Sequence, residues 1–238
     1  MDLKQKKTVY FVRHGQSTHN ARPVFQGADS RLSELGCRQA EAVASRLAGV
    51  PFEALISSPL PRARQTAEAI AAKTGHEIVM SDLFVERAKP SALAGRPYAE
   101  ESARQLYDDY IQTMYQPGRR VSDAENYDDI TKRADKALDY LLTRPEATLA
   151  VVTHGWFLRV IIARVLLDSR LTGALLKRFE KRISAGNAAI TILTYQDAYA
   201  EDFAWRLRTL NDCAHCAEQP RATTQKPKEN STPEAGHA

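Results

Sequence analysis

Five strand-favouring residues in a row, Thr8, Val9, Tyr10, Phe11 and Val12, run straight into Arg13, His14 and Gly15. A β-branched and aromatic run that stops at a glycine turn specifies a buried strand ending in a loop. The layout recurs once, where Leu149 to Thr153 ends in His154 and Gly155. Strand and helix signals alternate between the two runs, and alternating elements pack as an α/β fold around a largely parallel sheet. The expected architecture is a three-layer α/β/α sandwich with a mostly parallel central sheet. Ligands bind such open sheets beyond the carboxyl ends of the strands, where both histidines fall.

After Asn20 comes an aperiodic loop, 21–31, rich in turn formers. Ser33 predicts a helix N-cap, with Leu35, Gln39, Val43 and Leu47 on the helix and Gly49 and Pro51 ending it. A short strand over Ala54 to Ile56 ends at Ser57, Ser58 and Pro59. A second helix over about Pro61 to Lys73 begins with proline in its first turn and ends at Gly75. A strand is expected over Glu77 to Met80, then helices over about 99–115 and 128–143. Ile130, Ala134, Ala137, Leu138 and Leu141 form the apolar stripe of the latter. Beyond His154, helices are expected over 156–167 and 171–182 and strands over 188–194 and 203–209. The segment from Phe84 to Asn126 reads as a helical insertion over the carboxyl edge of the sheet. Residues 1–216 are expected to form one domain, and the polar, proline-bearing stretch 217–238 a disordered tail.

Composition excludes several classes. With 43% hydrophobic and 26% charged residues, the 238-residue chain is of ordinary globular make-up. A net charge of +4 lacks the concentrated excess of a nucleic-acid binder, so no nucleic-acid partner is expected. The most apolar run, Trp156 to Leu167, is broken by Arg159 and Arg164, so no membrane span is expected either. Three cysteines make no disulfide framework and fit a reducing compartment, and a cytoplasmic location is expected. The Cys213-Ala-His-Cys216 cluster suggests a metal only superficially, because a structural zinc site needs four ligands and the chain has no second pair.

A strand end carrying arginine and histidine suits phosphate chemistry. The negative oxygens of a phosphate monoester repel a nucleophile until they are neutralised, and arginine pairs with them bidentately without losing its charge. Arg13 and Arg62 are the candidates. His154 could donate a hydrogen bond to the transferring group, and such positioning is the main burden of phosphoryl transfer. The leaving oxygen needs a proton, which a carboxylic acid could supply if burial or anionic neighbours raised its pKa. Glu86 in Leu83-Phe84-Val85-Glu86-Arg87 is the candidate.

Four segments carry a family resemblance: Arg13 to Asn20 (RHGQSTHN), Gln26 to Gly36 (QGADSRLSELG), Ser57 to Ala67 (SSPLPRARQTA) and Val151 to Gly155 (VVTHG). Together, in this order, they make the chain resemble the histidine phosphatase superfamily of phosphoglycerate mutases and phosphatases over about Val9 to Thr194. The resemblance implies that His14 is the nucleophile and becomes a transient phosphohistidine. It implies that Arg13, Arg62 and His154 form the phosphate pocket, that Glu86 is the acid, and that no metal or organic cofactor is required. Ser17, Asn20, Gln26 and Gly27 match the substrate-binding stretches. Gln16 stands where many relatives carry glutamate, which removes a negative charge beside the pocket. The segment after Glu86 also departs from the family's usual run.

The expected function is hydrolysis of a phosphate monoester of a small metabolite or a phosphoprotein. The alternatives are a bisphosphoglycerate-dependent mutase and an idle phosphoester- or protein-binding module. A mutase carries an additional basic and aromatic run in the insertion, which this chain lacks between Glu86 and Asn126. The plainer reading of an Arg-His pair, a capped turn, is weakened by its occurrence beside a second His-Gly strand end. Arg62 and Arg64 point in different directions on one helix, and the motif match selects Arg62. Arg87, Arg96 and Tyr98 are expected at the rim, and His76 is expected to be solvated at a helix end.

Overall fold

The computed structural model describes residues 6–18, 23–25, 27–196 and 204–216. The expected disordered tail, 217–238, lies outside the described residues. Six strands form one sheet: β1 (Lys6–Arg13), β2 (Ala54–Ser57), β3 (Ile78–Met80), β4 (Thr148–Thr153), β5 (Ile190–Gln196) and β6 (Trp205–Asp212). Their spatial order is β3-β2-β4-β1-β5-β6. The pairings β2–β3, β2–β4 and β1–β4 are parallel, whereas β5 runs antiparallel to both β1 and β6. Arg13 pairs in register with Thr153, so the histidines that follow them leave neighbouring strands at the same height.

The described residues form six α-helices: α1 (Glu34–Leu47), α2 (Pro61–Thr74), α3 (Glu101–Thr113), α4 (Tyr127–Thr143), α5 (Gly155–Leu167) and α6 (Gly173–Glu180). Successive strand side chains point to opposite faces, and the core divides accordingly. Val12, Leu55, Ala150 and Val152 pack with Val43 and Leu47 of α1 and with Ala63, Ala67 and Ile70 of α2. Val9, Phe11, Ile56, Leu149 and Val151 pack on the other face with the apolar sides of α4 and α5. The result is the expected three-layer sandwich. All five residues of the expected α4 stripe are buried, and truncating a buried leucine such as Leu141 to alanine costs about 2–5 kcal/mol.

Local signals set the helix ends. The Ser33 hydroxyl accepts the Gly36 N–H at 3.1 Å, Pro61 occupies the first turn of α2, and Gly75 ends it with φ +76°. Asn126 and Asp129 form a reciprocal capping box on α4. The insertion carries one α-helix, α3, and otherwise short 3-10 turns and irregular chain. It is fastened to the loop after β1: Phe25 N–H donates to Arg96 O and Gly95 N–H to Phe25 O, both at 2.9 Å. Phe25, Leu93 and Ala103 make a small apolar cluster there. His76 is not simply solvated, since it stacks on Phe52 with ring centroids 4.3 Å apart and bonds the Phe52 carbonyl at 2.9 Å.

Candidate active site

His14, His154, Arg13, Arg62 and Glu86 meet at the carboxyl end of the sheet. His14, just past β1, is 1% exposed. Its Nδ1 lies 2.6 Å from the Gly15 carbonyl. A carbonyl only accepts, so Nδ1 carries the proton and Nε2 keeps its lone pair. Arg62 Nε donates to that Nε2 at 3.3 Å. Burial pushes the imidazole pKa well below its usual value, and His154, Arg62 and Arg13 push it in the same direction. His14 is thus neutral with its lone pair at an arginine.

His154, just past β4, lies with its ring centroid 4.9 Å from that of His14. Its Nε2 is 2.8 Å from Ser58 Oγ, and its buried Nδ1 has no partner among the described residues. Burial, then Arg62, Arg13 and Arg133, lower its pKa well below 6.5. The buried Arg13 Nε also has no partner among the described residues, while Arg13 Nη1 donates to Ala185 O. Arg13 lies across the start of α5, and a Cβ on Gly155 would meet its Nε at 2.8 Å. A larger residue there would push the guanidinium aside.

Arg62 is 2% exposed and donates weakly to the Gly27 and Ala28 carbonyls, each at 3.4 Å. Burial lowers both Arg13 and Arg62 to about 10, so both stay cationic at neutral pH. Arg64, by contrast, pairs with Glu68 on the exposed side of the helix, as the helical geometry requires. Ser17 is buried and bridges to Leu32. Asn20 and Gln26 lie outside the described residues.

Glu86 caps the N-terminus of α5. Its Oε1 accepts the Phe157 and Arg87 N–H groups, each at 3.0 Å, and its Oε2 the Trp156 N–H at 3.3 Å. Burial pushes its pKa up. The Arg87 N–H, the charges of Arg87 and Arg62 and the Trp156 N–H outweigh that and hold it at about 2. These neighbours and the helix N-terminus favour the carboxylate, against the raised pKa that an acid role calls for.

Several supporting residues escaped the sequence reading. Thr66 Oγ1 accepts the Gly15 N–H at 3.2 Å and donates to Arg62 O at 2.8 Å, tying the histidine loop to α2. Gln39 accepts the Gln16 N–H at 2.8 Å. Asn187 Nδ2 donates to His14 O at 3.0 Å. Gln16 turns its own side chain to the helix cap, where Ser33 Oγ donates to Gln16 Oε1 at 2.7 Å. A glutamate there would sit against that cap. Arg87 is not a rim residue: its guanidinium lies 4.3 Å from the Trp156 ring centroid and 5.5 Å from that of Tyr110. Tyr98 packs edge-on against Phe25, and Arg96 pairs with Glu100. Cys213 and Cys216 are partly buried, and no group of three or more metal-ligating side chains occurs among the described residues.

A family model described as histidine phosphatase superfamily (branch 1) matches residues 9–212. The chain belongs to the histidine phosphatase superfamily. Among the relatives of this superfamily member is the Yersinia pestis protein named "Probable phosphoglycerate mutase GpmB", 30% identical over 87% of this chain and 94% of its own. The mycobacterial glucosyl-3-phosphoglycerate phosphatase is similar in structure, with TM-score 0.67, 24% identity and coverage of 87% of this chain and 99% of that one. An Entamoeba histolytica phosphoserine phosphatase gives TM-score 0.69 at 22% identity, covering 88% and 98%. No helix among the described residues is long and apolar enough to cross a membrane.

Proposed function

We propose that this superfamily member is a metal-independent phosphatase that hydrolyses a phosphate monoester of a small metabolite through a phosphohistidine at His14. The observation that carries the reading is the neutral His14 ring, held through Nδ1 by Gly15 O with its Nε2 lone pair beside Arg62. Residues 1–216 would act as one catalytic domain. Arg13 and Arg62 neutralise the phosphoryl oxygens, and the Arg13 Nε–H and His154 Nδ1 edges take up charge as it shifts. The His14 Nε2 lone pair forms the N–P bond while the ester P–O bond breaks, and the leaving oxygen takes a proton from Glu86.

Glu86 is held as a carboxylate by the Arg87 N–H and by the charges of Arg87 and Arg62, and the negative charge of a bound phosphoryl group, which pairs with Arg62, raises its pKa. A phosphate monoester with a second pKa near ~6 reaches the site in part as the monoanion. Its proton passes to Glu86 as the phosphate dianion pairs with Arg13 and Arg62. Water then attacks the phosphohistidine, gives its proton to the Glu86 carboxylate, and the P–N bond breaks to return His14 and release phosphate. Ser17, Asn20, Gln26 and Gly27 would border the substrate phosphate.

The names of its relatives keep a mutase in view. The deciding assay offers p-nitrophenyl phosphate and, separately, 3-phosphoglycerate with and without the bisphosphate. The phosphatase reading expects turnover of the aryl ester, unaffected by chelator and abolished in His14→Ala. Full activity of that variant would sink the mechanism. Bisphosphate-stimulated formation of 2-phosphoglycerate would establish a mutase. Neither activity, with phosphate still raising the melting temperature, would mark a binding module.

A further inference from the structure

Ser58 lies in the Ser57 to Ala67 segment, and its hydroxyl sits between the start of α2 and His154. It is fully buried, immediately before Pro59 in the turn that leads from β2 into α2. Two groups reach its oxygen: the Leu60 N–H donates to it at 3.3 Å, and His154 Nε2 lies 2.8 Å away. A backbone N–H can only donate, so Leu60 occupies one lone pair of the hydroxyl. The hydroxyl proton then has one acceptor among the described residues, His154 Nε2. A neutral imidazole has one N–H, and an Nε2 that accepts leaves the proton on Nδ1. That is the ring atom which is buried without a partner.

We propose that Ser58 is a positioning residue that locks His154 in its Nδ1–H tautomer, so that the ring presents a hydrogen-bond donor and not a lone pair to the phosphoryl group. The inference rests on the phosphatase reading for what the donor meets. It fits a second unpartnered donor beside the start of α5, the buried Arg13 Nε–H, because unmet donors there suit an anion. The opposite tautomer would leave the Ser58 proton without an acceptor and aim a lone pair at the phosphoryl oxygens. The lowered pKa of His154, caused first by burial, keeps the ring neutral and so makes its tautomer matter.

Nitrogen-15 NMR of histidine-labelled protein tests this, with the His154 signals assigned by their loss in His154→Asn. The expected wild-type spectrum has a protonated Nδ1 and an unprotonated Nε2, and the Nδ1–H signal moves on adding orthovanadate. In Ser58→Ala the two tautomers mix, kcat falls roughly 10- to 100-fold with KM little changed, and vanadate binds more weakly. Ser58→Thr, which keeps the hydroxyl, restores the wild-type tautomer. A wild-type Nε2–H tautomer, or an unchanged tautomer in Ser58→Ala, overturns the proposal. Both the wild-type spectrum and vanadate affinity are read without turnover. A wild-type protein that hydrolyses no phosphomonoester would therefore sink the phosphatase reading while leaving Ser58 to be judged separately.

Discussion

His14 and His154 each follow a buried strand, each precede a glycine, and their rings lie 4.9 Å apart. Their nitrogens are nevertheless engaged in opposite ways. At His14 the neighbouring carbonyl holds Nδ1, and Nε2 keeps a lone pair that faces the Arg62 Nε–H. At His154 the Ser58 hydroxyl takes up Nε2 and leaves Nδ1 without a partner. One ring thereby offers a lone pair and the other a proton. Repeated sequence patterns place side chains, but the hydrogen bond behind each ring decides its chemistry.

The largest expected effect separates the two. His14→Ala should lower kcat by roughly 10⁴-fold or more and abolish an acid-labile phosphoenzyme, as loss of a nucleophile does. His154→Gln should still become phosphorylated, with kcat down about 10²–10³-fold, the usual cost of one transition-state donor. Phosphate trapped on the His14 variant and not on the His154 variant would reverse the assignment.

Glu86→Gln sharpens the contrast on the His154 side, because Glu86 caps the helix that begins beside that ring. Its loss should cost about 10²-fold or more with an alkyl phosphate and far less with p-nitrophenyl phosphate, whose leaving group needs no proton. Equal losses with both substrates would exclude proton donation.

Acid stability gives a smaller effect with a defined sign. The folded pKa of Glu86 is about 2 against an ordinary 4.5. Its contribution is present above 4.5 and is lost as pH falls towards 2. Both histidines are held below 6.5, so the unfolded chain takes up their protons first and stability also falls as pH drops below 6.5. The melting temperature should decline on acidification, less steeply below 4.5 in Glu86→Gln and less steeply just below 6.5 in His14→Ala. The smallest effect is expected of Asn187→Ala, which removes the side-chain donor to His14 O. It should cost about 1 kcal/mol in denaturant unfolding without changing the identity of the phosphorylated residue.

Much of this was legible in the sequence because it rests on local rules. Ser33, Pro61 and Gly75 mark helix ends by chemistry that acts within one turn, and the α4 stripe follows from helical period alone. The paired strand ends and Arg62 came from the same kind of reading plus the motif match. The bonds that support the site did not, since Thr66, Gln39 and Asn187 reach backbone groups far away in the chain, where no period or spacing announces them. Glu86 shows the limit most clearly. Its candidacy was readable, but its charge state depends on Arg87, drawn inward by Trp156 and Tyr110 rather than left at the rim, and on the buried first-turn N–H groups of the helix that begins at Gly155.

The place of β1 in the sheet has a consequence for synthesis. It is the earliest of the six strands in sequence yet sits between β4 and β5, and the His14 carbonyl waits for Asn187, 173 residues later. At common ribosomal rates that delay is roughly 10 to 35 s. Until β4 is made β1, which ends at Arg13, lacks both of its sheet neighbours, and for the rest of that time it still lacks β5, with a backbone edge open to pairing with other chains. A nascent chain stalled before β5 would hold all five proposed catalytic side chains and still be an aggregation risk, so sheltering by a chaperone should matter most for this half-made state.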